Sequence, residues 1–203
     1  TFYEHSLRGG PGMRPHALAG AAAEELARRG LPLEGPPEVD AALRAFRIGY
    51  APSAWDGLVA YLQRQGVSPV VAERAGLIVP RSSGGGHYDR FRHRLMFAVV
   101  DVAGRVIAFS GRALPSPEDG EEKPAKYINS PESPIYTKGE HLFGLYQARQ
   151  AIRQSGEAVL VEGNFDVVAL HARGIGNVVA PLGTAFTEHQ ARLLRRFTPS
   201  VTL

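Results

Sequence analysis

Cysteine is absent from the 203 residues. No disulfide staples the fold and no thiolate is available to hold zinc, an absence that fits a cytoplasmic protein. No apolar run approaches the ~18 residues a membrane-spanning helix needs. The opening residues, Thr-Phe-Tyr-Glu-His, lack the basic and apolar segments of a secretory signal. Neither a Gly-rich Walker loop nor a dinucleotide fingerprint is present. The seven histidines show no metal-ligand spacing, and Ser110 lies in no nucleophile-elbow pattern. Internal repeats and heptads are missing too. Position 1 is not methionine and the chain closes on the β-prone run Val201-Thr202-Leu203, so both ends are expected to be cut from a longer chain.

What is present suits a globular fold. Hydrophobic residues make up 44% and charged residues 21%, enough to bury an ordinary core. The formal net charge of +3 is only mildly basic, and its distribution carries more information. Arg90, Arg92 and Arg94 crowd one short stretch, while Glu118, Asp119, Glu121 and Glu122 gather in another. Basic groups concentrated on one segment are the usual electrostatic footprint of phosphate binding.

The first part of the chain reads as helical. The Ala/Glu/Leu/Arg mixture predicts a helix over 17–29, closed by Gly30-Leu31-Pro32. The loop 32–37 holds three prolines, and a second helix is expected over 38–46. Ser53 is the expected N-cap of a helix through Gln65, with Gly66 as its stop. Ser68-Pro69 opens a short helix ending at Gly76. After the flexible Ser82-Ser83-Gly84-Gly85-Gly86, the segments 95–100 and 105–110 flank Asp101-Val102-Ala103-Gly104, a hairpin signal. The stretch 115–124, with three prolines and four acids, predicts an exposed loop. A helix is expected over 144–154. From residue 158 the pattern is strand (158–161), amphipathic helix (165–173), strand (178–180), a helix opened by a Thr187/Gln190 capping box, and a last strand near Ser200. Strands alternating with helices imply a parallel sheet.

Glu162-Gly163 follows the strand 158–161 directly. In parallel α/β sheets ligands lie beyond the carboxyl ends of the strands, so a carboxylate here points into a crevice and a glycine lets a substrate or metal approach. Asp166 follows in the next helix's first turn. Position alone leaves a second reading open: Asp166 complements the helix dipole and Glu162 is solvated. The stretch Tyr88-Asp89-Arg90-Phe91-Arg92-His93-Arg94 alternates arginine with aromatics. Extended, it would set three guanidinium groups on one face, suited to a phosphate backbone, with aromatics free to stack on bases. A solvated strand face with Phe91 in the core accounts for it equally well. Lys126-Tyr127-Ile128-Asn129-Ser130-Pro131, with Lys138-Gly139 nearby, reads as a loop able to hold a triphosphate, or simply as a loop.

Several motifs together resemble one family. Tyr88-Asp89-Arg90-Phe91-Arg92, Arg94, Met96-Phe97, Asp101, Gly104-Arg105-Val106-Ile107 and Gly111-Arg112 resemble the core of DnaG-type bacterial primases. So do Pro124-Ala125-Lys126-Tyr127-Ile128-Asn129-Ser130-Pro131-Glu132, Lys138-Gly139, Leu142 and Gly144-Leu145-Tyr146 with Ala148. Val161-Glu162-Gly163 with Asp166-Val167-Val168-Ala169-Leu170, then Leu182-Gly183-Thr184, is similar to the glutamate motif of a Toprim sheet. Upstream, Ile48-Gly49-Tyr50-Ala51-Pro52, Trp55 and Ala75-Gly76-Leu77 also fit. The chain departs from the pattern at Asn164, Ser110 and Pro181.

The resemblance implies an α/β (α+β) fold: a helical and hairpin N-terminal subdomain over 1–114, a linking loop and helix over 115–156, and a truncated Toprim-like parallel sheet with flanking helices over 157–203. It implies a primase, a nucleotidyltransferase making short RNA primers from ribonucleoside triphosphates on single-stranded DNA. Glu162 would be the catalytic carboxylate, and Glu162 with Asp166 would hold Mg2+ or Mn2+. Lys126, Tyr127, Asn129 and Lys138 would meet the nucleotide. Arg90, Arg92, Arg94 and Arg112 would meet nucleic acid. The family's aspartate-rich metal motif, zinc-binding module and helicase-binding module are not among these residues, so no zinc is expected. Inactivity of the isolated fragment is expected, and contacts with the replicative helicase and single-strand-binding protein would use those other regions. A bacterial cytoplasmic replisome is the implied setting, with no membrane. A non-catalytic single-stranded-DNA-binding remnant and another Toprim enzyme, a nuclease or topoisomerase, are the alternatives.

Overall fold

The computed structural model describes residues 2–9, 15, 16, 19–116, 124–183 and 185–203. The chain forms two compact units, each assembled from separated stretches. The first is Thr1–Glu25, Ile48–Phe97 and Ala108–Ser133; the second is Leu26–Arg47, Ala98–Ile107 and Pro134–Leu203. The boundaries expected at 114/115 and 156/157 do not coincide with these units, because the chain passes from one to the other several times.

Eight helices and ten strands lie among the described residues. They begin with α1 (Phe2–Arg8), α2 (Gly20–Arg28), α3 (Pro37–Ala45), β1 (Gly49–Ala51), α4 (Gly57–Arg64) and α5 (Pro69–Arg74). Then come β2 (Ile78–Pro80), β3 (His87–Asp89), β4 (Arg94–Val100), β5 (Val106–Ala113) and β6 (Tyr127–Asn129). A 3-10 turn, Lys138–Glu140, leads into β7 (Leu142–Phe143), α6 (Leu145–Ser155), β8 (Glu157–Leu160), α7 (Asn164–His171), β9 (Val178–Pro181), α8 (Glu188–Arg195) and β10 (Ser200–Thr202). None of the described helices is long and apolar enough to cross a membrane. The expected helix start at 17 and 18, Thr184, and most of the acidic loop, 117–123, lie outside the described residues.

Local chemistry explains most of these elements. Pro36 and Pro37 open α3, where a missing amide hydrogen costs nothing. The Ser68 hydroxyl accepts the Val71 amide at 3.4 Å and starts α5. The β4–β5 hairpin turns where expected: Asp101 accepts the amides of Ala103 and Arg105 at 2.9 and 3.0 Å, and Gly104 takes a φ of +83°. That glycine sits where any Cβ would lie 2.6 Å from the Tyr146 ring of α6. One helix departs from expectation. Ser53 caps nothing, and α4 begins four residues later at Gly57, because its amides are capped by the distant Asp89 carboxylate.

One four-stranded sheet has the order β1-β4-β5-β6. Tyr3, Ala51, Leu58, Phe91 and Met96 form the core of the first unit, with Phe109 and Ile128 packed against it. Helix α1, not foreseen in the sequence, lies on β1 so closely that a Cβ at Gly49 would stand 2.6 Å from the Tyr3 backbone. The other four-stranded sheet, β10-β8-β9-β7, is parallel from β10 to β9 and bordered by antiparallel β7. Leu142, Leu145, Ala148, Ile152, Ala158, Val179 and Leu194 form the core beside it. The fold is the expected mixed α/β architecture.

Candidate functional site

In the second unit, β8 and β9 run parallel and their carboxyl ends share one edge. Glu162 leaves the chain two residues past β8, and Asp166 lies in the first turn of α7. Both carboxylates are exposed. Neither makes a hydrogen bond or ion pair with a described residue. A Cβ on Gly163 would meet the Asp166 carboxylate at 3.1 Å, so the glycine leaves the space between them open. No cluster of three or more His, Asp or Glu side chains occurs among the described residues. The pair fits a hard divalent cation in kind, since Mg2+ takes oxygen ligands, but supplies only part of an octahedral shell.

Lys138 reaches the same edge by topology. Strand β7 runs antiparallel to β9, with Leu142 opposite Pro181, so the turn before β7 lies at the carboxyl end of β9. The side chain crosses the turn after β9: a Cβ on Gly183, whose φ is +140°, would lie 2.7 Å from Lys138 Cε and 3.0 Å from Nζ. The Lys138 turn is fastened to α8. Thr187 Oγ1 donates to the Gly139 carbonyl, and Gln190 Nε2 donates to His141 O at 2.8 Å and Lys138 O at 3.4 Å.

The basic stretch sits in the first unit and departs from expectation. Residues 90–93 are not a strand, and His93 takes a φ of +49°. His93 is held there by the Tyr50 hydroxyl on Nδ1 at 2.9 Å and by Pro115 O on Nε2 at 3.1 Å. The kink breaks the alternation, so Arg90, Arg92 and Arg94 do not form one strand face. Arg94 is buried, 7% exposed, and its Nη1 donates to Gly111 O at 3.1 Å and Ala125 O at 2.9 Å. Burial, then the neighbouring Arg92 charge, pull its pKa below the usual arginine value. Arg90 is half-buried. Phe91 is in the core, at 1% exposure.

Arg92 faces outward into an aromatic group. Its guanidinium lies 4.0 Å from the Trp55 ring centroid and 5.1 Å from that of Tyr88. The Arg81 guanidinium lies 6.0 Å from the same Tyr88 centroid, and Trp55 is 56% exposed. Burial lowers the Arg92 pKa, opposed by Tyr88 and Asp89. The sequence places Trp55 within the family resemblance but gives it no role; its signal there is a lone tryptophan in a Pro/Ser/Ala segment.

Lys126, Tyr127 and Asn129 lie in the first unit, not with Lys138 in the second. Tyr127–Asn129 is edge strand β6 rather than loop, pairing Arg112 with Tyr127 and Ser110 with Asn129. Ile128 packs inward, so Tyr127 and Asn129 share the opposite face. The Arg112 guanidinium lies 5.4 Å from the Tyr127 ring centroid, and Glu25 approaches its Nε at 2.8 Å. The two form an ion pair between side chains 14% and 7% exposed. Glu25 gave no signal in its Ala/Glu-rich helix.

Comparison with known proteins bears on both units. The family described as the DNA primase catalytic core, N-terminal domain matches residues 36–149, and the Toprim domain matches 156–203. The DNA primase of Synechococcus elongatus is 46% identical over 200 residues, covering 98% of this chain and 26% of that protein. The DNA primase of Halalkalibacterium halodurans is 49% identical over 158 residues, 78% of this chain and 25% of that protein. The chain thus spans about a quarter of the length of these relatives. Among solved structures, a DNA primase domain from Pseudomonas aeruginosa superposes with a TM-score of 0.80 at 42% identity, covering 98% of this chain and 56% of that one. A DnaG primase catalytic domain bound to single-stranded DNA gives 0.77 at 39% identity, covering 98% and 57%.

Proposed function

The chain belongs to the DnaG-type bacterial DNA primase family, and we propose that it forms part of an enzyme that makes short RNA primers from ribonucleoside triphosphates on single-stranded DNA. The observation that carries this reading is the exposed Glu162 carboxylate at the same sheet edge as Lys138. A carboxylate suits a divalent cation, and an ammonium group suits a triphosphate.

Glu162 and Asp166 would hold Mg2+ or Mn2+ in part. The ion would supply charge stabilisation for the attacking hydroxyl and the leaving pyrophosphate. Lys138 binds phosphate oxygens of the nucleotide. On the first unit, Arg92 and Trp55 receive template, the guanidinium against a phosphate and the indole against an unpaired base. Arg90 and Arg112 add charge, and Arg94 supports this surface by tying β4 to Gly111 and Ala125. Lys126, Tyr127 and Asn129 contact the incoming nucleotide or the primer–template junction.

The test is template-dependent RNA synthesis by the full native chain and its Glu162→Gln variant. Synthesis is expected to vanish in the variant while single-strand affinity stays near that of the unaltered protein. Joint loss of both would make Glu162 a structural residue. A polypeptide of these 203 residues alone is expected to make little RNA, because two carboxylates are a poor set for an octahedral cation.

A further inference from the structure

Resting on the reading of Lys138 as a phosphate contact, we infer that Gln190, together with Thr187, is a positioning residue that fixes Lys138 at the carboxyl end of β9. The two residues form the capping box of α8: Thr187 Oγ1 accepts the Gln190 amide at 3.1 Å, and Gln190 Oε1 accepts the Thr187 amide at 3.0 Å. Those two bonds complete the reciprocal capping box, satisfying the Thr187 and Gln190 amides. The hydrogen bonds left over all point at one place. The Thr187 hydroxyl hydrogen goes to Gly139 O, and the Gln190 amide hydrogens go to His141 O and Lys138 O.

Three carbonyls within four residues are therefore held by two side chains of one helix start. Gln190 is 1% exposed, so its hydrogen bonds face little competition from water. A capping box accepts glutamate as readily as glutamine. Only glutamine carries the donor that reaches back to the Lys138 turn, so the choice of amide over acid serves the turn and not the helix. Gly183 completes the arrangement by leaving room for the lysine stem.

Gln190→Glu separates the two roles. It is isosteric and keeps the capping acceptor, but replaces the donor with an oxygen facing two carbonyls. In the full native chain we compare it with Lys138→Ala and the double variant, measuring ribonucleotide KM, kcat, template affinity, thermal midpoint and hydrogen exchange over 138–141. Gln190→Glu is expected to raise the ribonucleotide KM about three- to tenfold, the effect of one or two lost hydrogen bonds. Template affinity should hold and exchange of the Glu140 amide should accelerate. The double variant should be no worse than Lys138→Ala, since both changes remove the same contact. Thr187→Ser, which keeps the hydroxyl, should behave as the unaltered protein. Additive KM losses, or unchanged exchange over 138–141, overturn the inference. Should Lys138→Ala leave the ribonucleotide KM unaltered, the phosphate reading of Lys138 falls, and the exchange comparison decides the positioning role by itself.

Discussion

The Asp89 carboxylate accepts the Leu58 amide at 2.7 Å across a separation of 31 residues. It also accepts the Val59 amide at 3.0 Å, so it caps α4 where Asp56, the residue at the N-cap, makes no side-chain bond. Asp89 has two further links. Its amide donates to Trp55 O at 2.7 Å, and its carbonyl accepts a hydrogen bond from Arg92 Nη1. One residue thus connects the start of a helix to both members of the Trp55–Arg92 contact.

Asp89→Ala is expected to lower the unfolding free energy by about 1–3 kcal/mol, the range for losing a cap and leaving buried amides without an acceptor. Asp89→Asn, which retains one acceptor, should lose less. Urea denaturation followed by tryptophan fluorescence measures both, since Trp55 is the only tryptophan. Unchanged midpoints in both variants would mean that water replaces the carboxylate at no cost.

Two aspartates should respond to acid with opposite signs. Burial raises the Asp89 pKa, against the lowering effect of the two amides, with Asp56 raising it further. Its stabilising contribution is greatest below the unfolded value of about 3.9 and is lost as pH rises through the folded one. Burial also pushes Asp101 upward, but the Arg105 amide and guanidinium and the Ala103 amide outweigh it, and its pKa is lowered. Its contribution is present above about pH 4 and lost as pH falls through the folded value. Urea midpoints taken from about pH 3 to 6 should therefore fall less steeply toward acid in Asp101→Asn and more steeply in Asp89→Asn. Parallel curves for the two variants would contradict this assignment.

What the sequence made legible was local. The hairpin at Asp101–Gly104, the Thr187/Gln190 box and the strand before Glu162 are each decided within a few residues by turn chemistry, capping or an apolar run. What stayed hidden depends on partners far away in the chain. The start of α4 is set by Asp89, and the course of Arg90–Arg94 by the bonds of His93 to Tyr50 and Pro115. Strand β6 is three residues long and exists through its pairing with β5. Lys138 reads as a neighbour of Lys126 along the chain, yet the pairing of β7 with β9 carries it to the sheet edge of Glu162.

Arg92, Trp55 and Arg94 should behave differently from one another. Arg92→Ala is expected to reduce the salt slope of single-strand binding by roughly 0.7, the value for one phosphate contact. Trp55→Ala should weaken binding without changing that slope, losing about 1–3 kcal/mol of base stacking. Arg94→Ala should lower the thermal midpoint, because its guanidinium bonds two carbonyls inside the first unit. Fluorescence anisotropy on unrelated oligonucleotides across a salt series distinguishes the three. Equal slopes in Arg92→Ala and the unaltered chain would leave Arg92 a packing partner of Trp55.

The last expectation concerns the outer face of β6. Ile128 anchors the strand in the core, which fixes Tyr127 and Asn129 on the other side. Tyr127 stays 37% exposed above Arg112, and that guanidinium is steadied by Glu25 from within. Asn129 can donate and accept hydrogen bonds, and Lys126 is exposed at the start of the strand. A rigid edge presenting an aromatic ring, an amide and an ammonium group loses little entropy on meeting a nucleotide. The opposing view pairs Lys126 and Lys138 with the acids at 118–122, which lie outside the described residues. Exposed ion pairs contribute only ~0–1 kcal/mol, so that view predicts near-normal kinetics. On the nucleotide reading, Lys126→Ala and Asn129→Ala in the full native chain raise the ribonucleotide KM or lower kcat, with template affinity less affected. Tyr127→Phe, which keeps the ring over Arg112, should be milder than Tyr127→Ala. Ribonucleotide titrated at saturating template, set against template titrated at saturating ribonucleotide, measures both sides. Unaltered behaviour of all four variants in both titrations would exclude β6 from nucleotide binding.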